Sequence, residues 1–166
     1  TWSDKLMAWS KNGTPDTLGS SGDVMTISDM VAQKFNVFMR HIINSGAIDS
    51  KWEFNANTNS VYAQRTSVNG GADGTDVSQA FLDFQQNGSQ DIFDVSYVCS
   101  IAGEEKLLIG NAIGYGASGA GTAPNRYELV GKFVPSPDAD ITRIDSANDS
   151  AGSYDTLSNI SALGTD

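Results

Sequence analysis

Apolar and polar residues alternate in short stretches along most of the chain, and clusters of Gly, Asn, Asp and Ser interrupt the alternation. The stretch 126–134 (RYELVGKFV) is the clearest case. Tyr127, Leu129, Gly131 and Phe133 fall on one side, and Arg126, Glu128, Val130 and Lys132 on the other. A period of two is the mark of a half-buried strand. The stretch 34–44 (KFNVFMRHIIN) predicts the strongest long strand. It has Phe35, Val37, Met39 and His41 on one face and Asn36, Phe38, Arg40 and Ile42 on the other. Apolar groups on both faces place it in the middle of a sheet.

The same pattern predicts a short strand at 24–28, and one helical turn at 31–33. Strands are expected at 51–55 (KWEFN) and 61–68 (VYAQRTSV), joined by NANTNS as a hairpin. Residues 69–76 (NGGADGTD) read as a loop, and 79–84 (QAFLDF) as a strand. Two more strands, 91–102 and 106–115, flank a turn at Gly103-Glu104-Glu105, and 141–147 and 157–163 close the chain. Roughly nine to eleven short strands with hardly any helix predict an all-β antiparallel sandwich of jelly-roll type. One domain over 1–166 is expected, with 1–10 as a first strand or a docking arm.

Composition narrows the function classes. Net charge is −10 at pH 7, which argues against lining a genome or binding an anionic membrane. Hydrophobic residues make up 39% and charged ones 18%, so the chain is neither a disordered tail nor a coiled coil. Cys99 is the only cysteine, which rules out an intramolecular disulfide, and its apolar surroundings predict a buried, inert thiol. No secretion signal or membrane span is expected, because the apolar runs are too short. Methionine removal before a small residue would account for a start at Thr1, with proteolytic maturation during assembly as the alternative.

Candidate chemistry is sparse. The stretch 114–124 is almost all small residues, but GASGAGTA lacks the Lys-Ser/Thr of a phosphate loop and leads into a strand rather than a helix. His41 is the only histidine, and Ser118 is the nearest imitation of a nucleophile elbow, without its spacing. Of the glutamates, Glu53 and Glu128 stand beside aromatics on strands, where a pair of carboxylates could line a sugar cleft. Asn69, Asp73 and Asp76 offer oxygens at a spacing that could hold calcium, as do Asp138 and Asp140, although plain turn chemistry explains both stretches. Trp52 reads as core. Trp2, Leu6, Met7 and Trp9 gather apolar surface at one terminus, which predicts an interface.

Several segments resemble one group of proteins. The stretch GAGTAPNRYELVGKF, the C-terminal ITRIDSANDSAGSYDTLSNISALGTD, the upstream YAQRTSVNGGADGTDVSQ and the phrase GEEKLLIG are similar to small virion proteins of tailed bacteriophages and related marine viruses. The resemblance covers roughly 51–166 and carries no catalytic motif. It implies a β-sandwich structural component, a capsid decoration or cement protein on the outer surface of the virion. The partner would be the major capsid protein, together with further copies of the chain. A trimer is the expected form by analogy with shell decoration. A receptor- or glycan-binding module is the alternative, and no cofactor is expected apart from calcium.

Overall fold

The computed structural model describes residues 8–44, 46–84, 88, 90–136 and 139–166. Thirteen strands and no helix form among them: β1 (Ser10–Lys11), β2 (Asp16–Thr17), β3 (Val24–Ile27), β4 (Phe35–Ile42), β5 (Ser50–Phe54), β6 (Tyr62–Val68), β7 (Gly74–Gln79), β8 (Leu82–Asp83), β9 (Ile92–Cys99), β10 (Lys106–Gly114), β11 (Asn125–Phe133), β12 (Ile144–Asn148) and β13 (Asn159–Thr165). One sheet runs β1-β13-β4-β9-β10-β11-β6-β7, with β2 also paired to β13. The other runs β3-β12-β5-β8. All pairings are antiparallel. The architecture is an antiparallel β-sandwich, as the alternation predicts. Its larger sheet is wider than the four strands per layer of a jelly roll, because the meander β9–β11 occupies its centre.

The core lies between the sheets and is built on an aromatic chain. Phe38 sits 6.1 Å from Trp52 and 5.7 Å from Phe54, ring centre to ring centre, and Tyr62 stacks on Phe133 at 4.8 Å. Phe38 belongs to the large sheet and Trp52 and Phe54 to the small one, so the first two contacts tie the sheets together, while Tyr62 and Phe133 are neighbours within the large sheet. Full burial of one such ring contributes about 1.5–3 kcal/mol. The expectation that Trp52 is core holds, since it is fully buried.

A buried ion pair adds a second tie. Arg40 Nε donates to Asp94 Oδ2 at 2.6 Å, with both side chains fully buried. Arg40 Nη1 reaches across to the Lys51 carbonyl at 3.0 Å and to Ser146 Oγ at 2.9 Å. The guanidinium also lies 4.4 Å from the Trp52 ring centre. Burial pushes the Asp94 carboxyl up, and the Arg40 guanidinium beside it opposes that shift. Burial likewise pushes the neighbouring Tyr154 hydroxyl up to about 12.

Several local expectations are corrected. The segments 51–55 and 61–68 are not a hairpin, because β5 lies in the small sheet and β6 in the large one. Asn55 and Ala56 both adopt positive φ and carry the chain across the sandwich. The Tyr62 hydroxyl then locks the crossing: it accepts from the Phe54 N–H at 2.9 Å and donates to the Asn57 carbonyl at 3.0 Å. The loop expected over 69–76 is shorter. Asn69 and Gly70, at φ 53° and 73°, make a tight turn closed by the Gly71 N–H on the Val68 carbonyl, and β7 starts at Gly74. The strand expected at 79–84 shrinks to β8, and residues 31–33 form no helical turn. Cys99 is half-buried rather than enclosed, because it occupies an outward position of β9.

Candidate functional site

The outer side of the large sheet is the most distinctive surface. In β9 the inward set is Ile92, Asp94, Ser96 and Val98, and the outward set is Phe93, Val95, Tyr97 and Cys99. In β10 the inward set is Lys106, Leu108, Gly110, Ala112 and Gly114, while Leu107, Ile109, Asn111 and Ile113 point outward. In both strands the outward set is at least as apolar as the inward one. Two inward positions of β10, Gly110 and Gly114, lack a side chain because other side chains fill the space above them. A Cβ on Gly110 would stand 2.5 Å from the Phe84 ring, and one on Gly114 would stand 2.5 Å from the Gln90 carboxamide.

Strand register assembles the outward residues into rows. Val37, Tyr97, Ile109 and Val130 sit side by side across four strands. Phe35, Cys99 and Leu107 form the row on one side, and Met39, Val95 and Asn111 the row on the other. His41, Phe93 and Ile113 form a fourth row. Tyr97, Leu107 and Ile109 are 56%, 54% and 59% exposed, so none of the described residues covers the centre of this face. No carboxylate, Lys or Arg occupies an outward position of β4, β9 or β10. Charges begin at β11 and there are paired: Lys132 with Glu105 at 2.9 Å and Arg126 with Glu128 at 3.6 Å.

The small-residue loop 115–124 joins β10 to β11 at one end of this face. Gln90 pins its base: its side-chain oxygen accepts from the Gly116 N–H at 3.0 Å and from the Asn125 amide at 3.2 Å, and its side-chain nitrogen donates to the Tyr127 hydroxyl. An open recess of about 540 Å³ lies against the loop, lined by Asp91, Tyr115, Ser118, Thr122 and Pro124 among others. A second recess, of about 240 Å³, includes His41, Asp91, Phe93 and Ile113. His41 and Ser118 are thus brought to the same end of the sheet with Asp91 near both. Among the described residues no hydrogen bond joins any two of the three, and Asp91 instead accepts from the Asn44 N–H at 3.1 Å.

Other candidates are dispersed. Glu53 and Glu128 point out of opposite sheets, so they do not form a carboxylate pair. The neighbour of Glu53 across the strands is Asp145, and burial followed by the Asp145 charge pushes the Glu53 carboxyl up. Asn69 uses its side-chain oxygen to accept from the Arg126 N–H at 2.8 Å. Asp76 accepts from Gln64 at 3.3 Å, and Asp73 lines a different recess beside Arg65. Those three side chains do not converge, and no group of three or more His, Cys, Asp or Glu among the described residues could hold a metal ion. The backbone carbonyl of Asp140 accepts from Asn55 at 2.8 Å, while Asp138 lies outside the described residues. Of the terminal interface candidates, Trp9 is exposed just before β1, and Trp2, Leu6 and Met7 lie outside the described residues.

Pattern reading passed over the apolar face, although its signal is present. The runs VSYVC and KLLIGNAIG carry apolar residues at both parities, as strands covered on both sides do. The Arg40–Asp94 pair gave no such signal, since a charged residue in an alternating strand is ordinarily assigned to solvent. No protein-family profile, curated protein or solved structure matches the chain.

Proposed function

We propose that the protein is a non-enzymatic structural component of a virion, a decoration or cement protein that binds the outer shell of the capsid. The carrying observation is the broad uncharged face formed by the outward residues of β4, β9 and β10. Exposed apolar patches of several hundred square ångströms on soluble domains mark contact with other macromolecules. The similarity of 51–166 to small virion proteins supplies the virion context. The acidic balance of the chain suits an exterior position rather than contact with the genome. The major capsid protein is the partner in this reading.

The test is to add purified protein to capsids that lack it and to measure the temperature at which the shells open. Saturable binding in many copies, with a rise in that temperature, is the expected result. Absence of binding, or a few copies confined to one vertex, would overturn it. The second of those outcomes would favour a receptor- or glycan-binding module. That alternative draws on the recess beside loop 115–124, where a carboxylate, hydroxyls and Tyr115 stand together as sugar recognition requires.

A further inference from the structure

We propose that the outer face of the large sheet is a self-association surface, on which two copies of the chain pack face to face as a symmetric dimer. The proposal takes from the preceding section only that this face is a contact surface. It does not depend on a virion or a capsid being present.

The first argument is the pattern within the strands. β9 and β10 place Asp94, Ser96, Gly110 and Gly114 toward their own core, and Tyr97, Leu107, Ile109 and Ile113 outward. Strands that are apolar at both parities are those covered by a layer on each side. Here one cover is the small sheet of the same chain. The other side has no cover among the described residues of the single copy, and a second large sheet would supply one. Two sheets stack at a spacing of roughly 10 Å with side chains interleaved, which suits rows of Val, Ile, Leu and Tyr.

The second argument is area. Five strands at a spacing of about 4.8 Å, and eight residues at about 3.3 Å each, give a face of roughly 600 Å², with apolar β4, β9 and β10 at its centre and the polar β13 and charged β11 as its rim. Two such faces supply roughly 1,200 Å², the lower end for a specific interface. The third argument is charge. Copies of a chain with net charge −10 repel one another over most approaches. The outward positions of β4, β9 and β10 carry no carboxylate, and the nearest charges on β11 are already paired within the chain. Meeting there points the acidic outer side of the small sheet away from the contact. A flat patch that meets itself closes with twofold symmetry and leaves no further copy to add, so the product is a dimer rather than a trimer.

The test is light scattering or sedimentation on the purified chain across roughly 1–100 µM. Ile109→Lys places a charge at the centre of the face, and Leu157→Lys, at an exposed loop position, is the control. Circular dichroism checks that each variant is folded. The expected mass for the wild type and for Leu157→Lys is twice the 17.6 kDa of one chain. The folded Ile109→Lys variant should weaken association at least roughly a hundredfold, as loss of a central buried anchor does. Cys99 provides a second readout on the same face: its reaction with a maleimide should speed up on dilution of the wild type and be independent of concentration in Ile109→Lys. A wild type that stays at 17.6 kDa, a mass of three chains, or a dimer that Ile109→Lys leaves intact would each overturn the proposal. Shell binding would draw on the same face and so compete with the dimer; it is measured separately with added capsids, and its failure leaves the mass measurement unaffected.

Discussion

Along β9 and β10 the side chains that leave the sandwich are Phe93, Val95, Tyr97, Cys99, Leu107, Ile109, Asn111 and Ile113. On the opposite side, along β5 and β12, they are Lys51, Glu53, Asp145 and Ala147. Both faces arise from the same period of two, yet among the described residues only one is covered by the chain itself. The small sheet covers its outward positions with polar contacts. Arg143 grips Asp145 at 2.8 Å, and Thr26 donates to the same carboxylate at 2.5 Å. Lys51 pairs with Asp149 and lies 3.7 Å from the Phe81 ring centre. As a result Lys51 and Asp145 are buried although they point away from the core. Residues with polar tips can satisfy one another in water, so that layer needs no partner. The outward side chains of β4, β9 and β10 on the large sheet are mostly apolar, with polar groups only on Tyr97, Asn111 and His41, and no described residue covers the centre of that face.

The sharpest way to break this contrast is to ask whether β4 and β9 really face as described. If Asp94 is inward, Arg40→Met leaves a carboxylate buried without its cation, at a cost of about 3–5 kcal/mol. Urea denaturation measures that cost, and the double variant Arg40→Met/Asp94→Leu should recover most of it. A loss of under about 1 kcal/mol for Arg40→Met would mean that the pair sits in solvent. The row Phe93, Val95, Tyr97 would then be core, and the apolar face would vanish.

A smaller effect is expected from the reason Gly110 of β10 lacks a side chain. Gly110→Ala puts a methyl group 2.5 Å from the Phe84 ring. Overpacking of this kind costs about 1–3 kcal/mol. A neutral or stabilising result, read from the same denaturation curves, would show that Phe84 does not cap the inner side of β10.

The smallest effect concerns the acidic side. Burial raises the carboxyls of Asp49 and Glu53, and the charges of Asp83 and Asp145 respectively raise them further. Both groups therefore bind a proton more readily in the folded chain than in the unfolded one. The stability this contributes is fully present below the ordinary carboxylate values of 3.8 and 4.5. It is lost as pH rises through the elevated folded values. Asp49→Asn and Glu53→Gln should each stabilise the chain at pH 7 by roughly 0.5 kcal/mol, a figure kept small by solvent screening. The gain should fade toward pH 4 in melting curves taken across that range. A gain of the same size at every pH would remove protonation as the cause.

The sequence alone determined the layer class and most of the strands. Alternation in 34–44, 91–102, 106–115 and 126–134 located β4, β9, β10 and β11, because a pleated backbone forces successive side chains to opposite faces. It also separated Tyr127, Leu129 and Phe133 as the buried set of β11, where one parity is plainly the more apolar. Where both parities are apolar, alternation says only that there are two faces. In β9 the ordinary rule would bury Phe93, Val95 and Tyr97 and expose Asp94 and Ser96, and the fold does the opposite. The cause is non-local: Arg40 on the adjacent strand supplies the partner that lets Asp94 face inward. Phe84, far along the chain from β10, fills the space above Gly110. The assignment of β5 and β6 to different sheets turns on a short-range detail that alternation does not read: Asn55 and Ala56 adopt left-handed backbone, and Tyr62 bonds back to Phe54, eight residues away. The candidate face is the sum of those decisions: local pattern supplied its rows, and long-range packing chose which side of the sheet they would occupy.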